Sequence, residues 1–98
     1  MTKNIIKNGN AMTIAIEGRL ETTTAPEIEA VVKSELEGIT DLTFDFNKLD
    51  YISSAGLRVL LAAQKIMNKQ GDMKIVGANE IVKEIFDVTG FSEILTVE

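Results

Sequence analysis

The stretch LTFDFNKLDYISSAGLRVLLAAQK, residues 42–65, decides how the rest of the chain is read. Leu42, Phe44 and Phe46 alternate with Thr43 and Asp45, the period of a strand with one buried face. The polar segment Asn47 to Asp50 then reads as a loop. Beyond it, Ala55, Val59, Leu60, Ala62, Ala63, Ile66 and Met67, widened by Leu57 and Leu61, cover a broad arc at helical spacing, so most of that helix is expected to be buried. Strands separated by helices call for right-handed crossovers into a largely parallel sheet.

The same pattern extends in both directions. Asn8-Gly9-Asn10 is a turn signal between Ile5-Ile6 and the alternating Met12, Ile14 and Ile16, which reads as an opening hairpin. Thr24-Ala25-Pro26-Glu27 predicts a helix start with a reciprocal cap between Thr24 and Glu27. Ile28, Val31, Val32 and Leu36 form the buried stripe of that helix, Glu27, Glu29, Lys33, Glu35 and Glu37 lie off it, and Gly38 stops it. Downstream, Gly71-Asp72 ends the second helix and Met73 to Val76 is a short strand. Asn79 caps a third helix whose buried face is Ile81, Val82, Ile85 and Phe86. Gly90 marks its end, and FSEILTVE supplies a partial turn and a last short strand.

The order is two strands, helix, strand, helix, strand, helix, in one domain over residues 1–98. With 45% hydrophobic and 26% charged residues, the chain has enough apolar material for a core. A net charge of −5 without a basic cluster argues against nucleic acid or an anionic membrane surface as the main partner and favours a protein. Without cysteine there is no disulfide, thiolate nucleophile or sulfur ligand for zinc. The N-terminal segment lacks the apolar stretch of a secretory signal, and the longest apolar run, Val59 to Ala63, is far short of the roughly 18 residues of a membrane span. A cytoplasmic protein is expected.

With no histidine, a Ser-His-Asp triad is impossible. Neither common phosphate-cradling glycine loop is present, and the glutamate pairs Glu27/Glu29 and Glu35/Glu37 read as a solvated helix exterior. No metal or cofactor site is read, and an enzyme is not expected. Ser53 and Ser54 are the residues that call for a role. They follow a strand of a parallel sheet, at the edge where open α/β folds place their functional groups. A serine there can cap the helix, and Ser54 is expected to do so. Capping needs neither a second serine nor Gly56 in the first turn, which implies a close approach at this point. A helix N-terminus also tolerates a phosphate dianion. Along the helix, Arg58, Lys65 and Lys69 return to one narrow stripe, a small cationic ridge on an acidic protein.

At YISSAGLRVLLAAQK, residues 51–65, the chain resembles the STAS domain of bacterial anti-sigma factor antagonists. GRLETTTAPEIE (18–29), LTFDF (42–46) and VTGFSEIL (88–95) support the resemblance, which spans nearly the whole chain. It implies a STAS-like α/β fold: a mixed, largely parallel sheet with an N-terminal hairpin and three or four helices packed on it. It also implies a partner switch. In that family the unphosphorylated antagonist binds an anti-sigma factor that is a serine kinase, which frees the sigma factor; phosphorylation of one serine ends the binding, and a metal-dependent serine phosphatase of the PPM type resets it.

Aligned on its glycine-leucine pair, the family pattern Asp-Ser-Ser/Thr-Gly-Leu falls on Ser53-Ser54-Ala55-Gly56-Leu57, which carries the phosphoacceptor role to Ser54. Ser53 then replaces an aspartate, Ala55 removes a competing hydroxyl, and Glu21 stands where the family usually has an aspartate close to the site. Leu57, Arg58 and Lys65 are the expected partner-binding residues of a monomer. The alternative is an interaction subunit of the same fold, in a transporter or signalling assembly, whose Ser54 is only a cap.

Overall fold

A computed structural model describes residues 1–98. Strand β1 (Thr2–Asn8) and strand β2 (Ala11–Leu20) form the hairpin, with Gly9 at φ +63° opening its two-residue turn. Helix α1 (Ala25–Glu35), strand β3 (Asp41–Ile52), helix α2 (Ser54–Gln70), strand β4 (Asp72–Val76) and helix α3 (Glu80–Thr89) follow, then a 3-10 turn at Phe91–Glu93. The sheet order is β1-β2-β3-β4; β1 pairs antiparallel with β2, and the β2–β3 and β3–β4 pairs are parallel. This is the mixed α/β architecture expected from the sequence.

Both crossovers, β2 to β3 and β3 to β4, step the same way across the sheet, so a common handedness places their helices on one face. Burial agrees. Met12, Ile14, Ile16, Leu42, Phe44, Phe46, Met73 and Ile75 are buried beneath the helices, while the alternate residues Thr13, Ala15, Thr43, Asp45 and Lys74 reach the opposite, open face. A single apolar core contains Ile28, Val31, Val32 and Leu36 from α1 and its C-terminus, Leu60, Ala63 and Met67 from α2, and Val82 and Phe86 from α3. The Gln70 amide donates to the carbonyls of Leu36 and Ile39, both at 2.6 Å, fixing the end of α2 to the segment between α1 and β3.

Several local expectations are corrected. Asn47 to Asp50 is strand, not loop: β3 runs through to Ile52, and register shifts against β2 absorb the extra residues around Phe46-Asn47 and at Asp50. The reciprocal cap at α1 does not form. Thr24 has helical backbone (φ −110°, ψ −24°), its hydroxyl accepts from Glu21 N at 2.9 Å and donates to Arg19 O at 2.8 Å, and Glu27 is held by Lys3 instead. Ile81 is exposed, because the buried arc of α3 is only wide enough for Val82 and Phe86 with Ile85 at its margin. The last strand is reduced to one parallel bridge, Val97 to Ile75. Asn79 does cap α3: its side-chain oxygen accepts from Val82 N at 2.8 Å, and its amide donates to Leu49 O at 3.0 Å.

The Lys3 ammonium, 2.9 Å from the Glu27 carboxylate, holds that carboxyl below the usual glutamate value, first through the hydrogen bond and then through charge attraction. A depressed folded-state pKa makes its contribution to stability present above the unfolded value and lost as pH falls through the folded one. An NMR titration is expected to place the Glu27 midpoint below that of an ordinary glutamate and to restore it in Lys3→Ala. The pair is solvent-exposed, so the accompanying loss of melting temperature at neutral pH should be small.

Candidate functional site

The site forms where the C-terminal ends of β2 and β3 meet the start of α2. Leu20 and Ile52 are register partners at the ends of these strands, and Ser53 N donates to Leu20 O at 2.9 Å. That hydrogen bond continues the sheet by one step and fixes where α2 begins. Ser53 occupies the N-cap position with extended backbone (φ −99°, ψ 178°), and Ser54 is the first helical residue. Neither serine caps through its side chain. The Ser53 hydroxyl oxygen is buried without a hydrogen-bond partner, and Ser54 is exposed. The expected cap at Ser54 is therefore corrected: its backbone already lies within the helix, one position too late to fold its hydroxyl back on the first free N–H groups.

An unpartnered buried hydroxyl costs free energy that a methyl group of similar size does not. Ser53→Ala is accordingly expected to leave thermal stability unchanged or to raise it by about 1 kcal/mol, as a denaturant titration would show. A loss of stability would mean that the hydroxyl has a partner.

Gly56 is buried in the first turn of α2. A Cβ there would lie 2.7 Å from Ile52 Cγ1, 2.9 Å from Leu20 Cγ and 2.9 Å from Leu20 O. The close approach implied by this glycine is therefore internal, the helix start settling onto the two strand ends. Leu57 is also a core residue, 5% exposed, and cannot present itself to a partner as expected. Its position, three after Ser54, has turned to the inner arc shared with Leu60 and Gln64.

The outward face of α2 carries the rest. Ser54, Arg58, Lys65 and Lys69 fall within about 60° of one another at 3.6 residues per turn, and all four are exposed. Ala55 is half-buried beside them and lines a groove of about 260 Å3 together with Arg58, Val59 and Thr22, Ala25, Pro26 and Glu29 from the β2–α1 segment. Ser54 thus stands at the head of a cationic face next to a shallow groove.

Glu21 lies on the β2–α1 segment but is not a free charge. The Arg19 guanidinium donates to its carboxylate at 2.7 Å and stacks 4.6 Å from the centre of the Tyr51 ring. Arg19 and Tyr51 are register partners on β2 and β3. Glu21 and Thr24 are singled out in the sequence, Thr24 in the different role of a helix cap, but the engagement of Glu21 by Arg19 and of Arg19 by Tyr51 is not. The available signal is the spacing of two between Arg19, on β2, and Glu21, one residue past its end. No cluster of histidine, cysteine, aspartate or glutamate forms a metal site, and no helix is long and apolar enough to cross a membrane.

This arrangement has clear relatives. The STAS domain family model matches residues 2–98, and the chain belongs to that family. The Bordetella bronchiseptica protein BtrV, provisionally described as an anti-sigma factor antagonist, is 35% identical over 84 residues, covering 84% of this chain and 72% of that protein. The anti-sigma-B factor antagonist of Bacillus subtilis is 26% identical over 95 residues, 96% of this chain and 87% of its own length. Among solved structures, the anti-sigma factor antagonist SpoIIAA in its unphosphorylated form is similar with a TM-score of 0.79 at 13% identity, covering 99% of this chain and 87% of that one. That last likeness is one of fold.

Proposed function

We propose that this chain is a phosphorylation-switched anti-sigma factor antagonist, a binding module rather than an enzyme, with Ser54 as the phosphoacceptor. Unphosphorylated, it docks the face of α2 around Ser54, Arg58 and Lys65 on an anti-sigma factor serine kinase, and the sigma factor is released. The kinase ends the contact by moving the γ-phosphoryl group of ATP to Ser54: the Oγ–P bond forms, the bond to the β-phosphate breaks, ADP leaves and the hydroxyl proton passes to the kinase. A PPM-type phosphatase hydrolyses the phosphoserine and resets the switch. The curated relatives named for this role support the reading, and one observation carries it. Ser54 is the exposed hydroxyl at the first position of α2, whereas its neighbour Ser53 turns its hydroxyl inward.

The position suits both states. A free hydroxyl is small and neutral at an interface, and a phosphate added there stands in solvent within the first turn of α2, where the partial positive charge of the helix start favours an anion, so the fold accepts it. The test is phosphotransfer by the anti-sigma serine kinases of the host, with ATP. One phosphoryl group per chain is expected, retained in Ser53→Ala and lost in Ser54→Ala. Transfer that survives Ser54→Ala would assign the acceptor elsewhere.

A further inference from the structure

Arg58 belongs to two features at once. It lines the groove between the starts of α1 and α2 that Ala25, Ala55, Val59 and Glu29 also line. It also stands four residues after Ser54 on the same outward face of α2, exposed and in no ion pair or hydrogen bond. Side chains at this spacing are neighbours on a helix, about 5–6 Å apart at Cβ, and an acidic group N-terminal to a basic one is the favoured order. The other guanidinium near the site, Arg19, is already engaged by Glu21 and Tyr51. Lys65 is eleven residues beyond Ser54, roughly 16 Å along the axis at 1.5 Å per residue. A dianion on Ser54 therefore has one uncommitted guanidinium within reach.

We propose that Arg58 couples phosphorylation to the docking surface, lining the groove in the unphosphorylated protein and clamping the phosphate once Ser54 carries one. This rests on Ser54 being the phosphoacceptor. The guanidinium fork matches two phosphate oxygens, and such charge-assisted bonds are about twice as strong as neutral ones. Phosphorylation then acts twice on an acidic partner: it adds negative charge at Ser54 and withdraws the nearest cation from the groove. Arg58 is a positioning residue for the phosphate, and the groove loses part of its wall when the side chain swings away.

The test uses protein carrying phosphoserine at position 54 by genetic encoding, so no kinase is needed. The second ionisation of the phosphate is followed by phosphorus NMR in the parent, Arg58→Gln, Arg58→Lys and Lys65→Gln. Each of the two glutamine variants removes one positive charge from the same face, and Arg19, Glu21, Glu29 and Asp50 are common to all four. Arg58→Gln is expected to raise the phosphate pKa by about 0.2–0.4 unit, Arg58→Lys by less, and Lys65→Gln by under about 0.1 unit. No rise in Arg58→Gln, or an equal rise in Lys65→Gln, overturns the clamp. The outcome is separable from the switch itself: phosphoserine found at position 54 in the host with no NMR shift removes the clamp and leaves the switch, whereas absence of phosphoserine from position 54 in the host removes the switch and with it the coupling, whatever the NMR shift.

Discussion

Ser54→Asp is expected to weaken binding to the anti-sigma factor kinase at least tenfold, and phosphorylation of Ser54 more than a hundredfold, with Ser54→Ala binding like the unmodified protein. The magnitudes follow from desolvation. Ser54 sits at the head of the face formed with Arg58 and Lys65, so a partner covering that face also covers the hydroxyl. A serine adds no net charge to the contact. A phosphate adds about −1.5 to −2, and burying such a charge without full compensation costs several kcal/mol. About 3 kcal/mol already corresponds to more than a hundredfold in affinity. Aspartate carries one charge on a shorter arm and gives the smaller effect. It also favours the helix, since a carboxylate in the first turn complements the helix dipole. The melting temperature of Ser54→Asp should therefore hold or rise slightly while binding falls, which separates this loss from unfolding. Isothermal titration of the three proteins against the kinase reads the difference, and unimpaired binding by Ser54→Asp would instead mark the domain as an interaction subunit whose Ser54 is not a switch.

Gly56→Val should be the most damaging single substitution at the site, lowering stability by about 3 kcal/mol and the melting temperature by more than about 10 °C. Replacing a helical glycine ordinarily gains up to about 1 kcal/mol. Here the new Cβ meets Leu20 O and Leu20 Cγ at 2.9 Å and Ile52 Cγ1 at 2.7 Å, and valine adds two more methyl groups. Leu20 O cannot move away freely, because it accepts the Ser53 N–H bond that joins α2 to the sheet. Relief of the clash thus breaks that bond or lifts the first turn of α2, and either displaces Ser54. Gly56→Ala, with the Cβ alone, is expected to cost about 1–2 kcal/mol. Chemical denaturation reads both values; an unchanged or raised stability in Gly56→Ala would show that the strand ends yield, and that the position of Ser54 is less firmly fixed than the packing requires.

Much of this architecture is legible in the sequence because buried faces impose a period. Met12-Ile14-Ile16 and Leu42-Phe44-Phe46 can pack only as strands with one face inward, and Ile28-Val31-Val32 only as a helical stripe. The hairpin turn and the Asn79 cap depend on residues within a few positions of each other, and both stand as expected. What escapes the sequence depends on contacts made at a distance. Asn47-Lys48-Leu49-Asp50 has the composition of a loop, yet β2 is long enough to keep pairing with it across two register shifts. Thr24 and Glu27 have the letters of a reciprocal cap, but each finds a partner outside α1, in Arg19 and Glu21 for one and Lys3 for the other. Gln64 lies on the buried arc of α2, its amide donating to Asn68 at 2.8 Å, and no local pattern announces a polar residue there.

The site divides the same way. Ser54, Arg58 and Lys65 are outward as helical spacing requires, and Leu57 is inward because the inner arc of α2 reaches around to its position. Which of two adjacent serines faces solvent is settled by the single hydrogen bond from Ser53 N to Leu20 O, a contact between residues 33 positions apart. Glu21 reads from the sequence as a negative charge beside the acceptor. In the fold it is largely answered by Arg19, so a phosphate at Ser54 meets less repulsion than the sequence suggests, and the uncommitted guanidinium within its reach is Arg58.

The most direct test of the account is fragment mass spectrometry of the protein isolated from its native host, resolving Ser53 from Ser54 under several growth conditions. The expected result is a phosphoryl group on Ser54, none on Ser53, and an occupancy that changes with condition. Absence of phosphate from Ser54 in every condition, or its presence on Ser53, would contradict the switch.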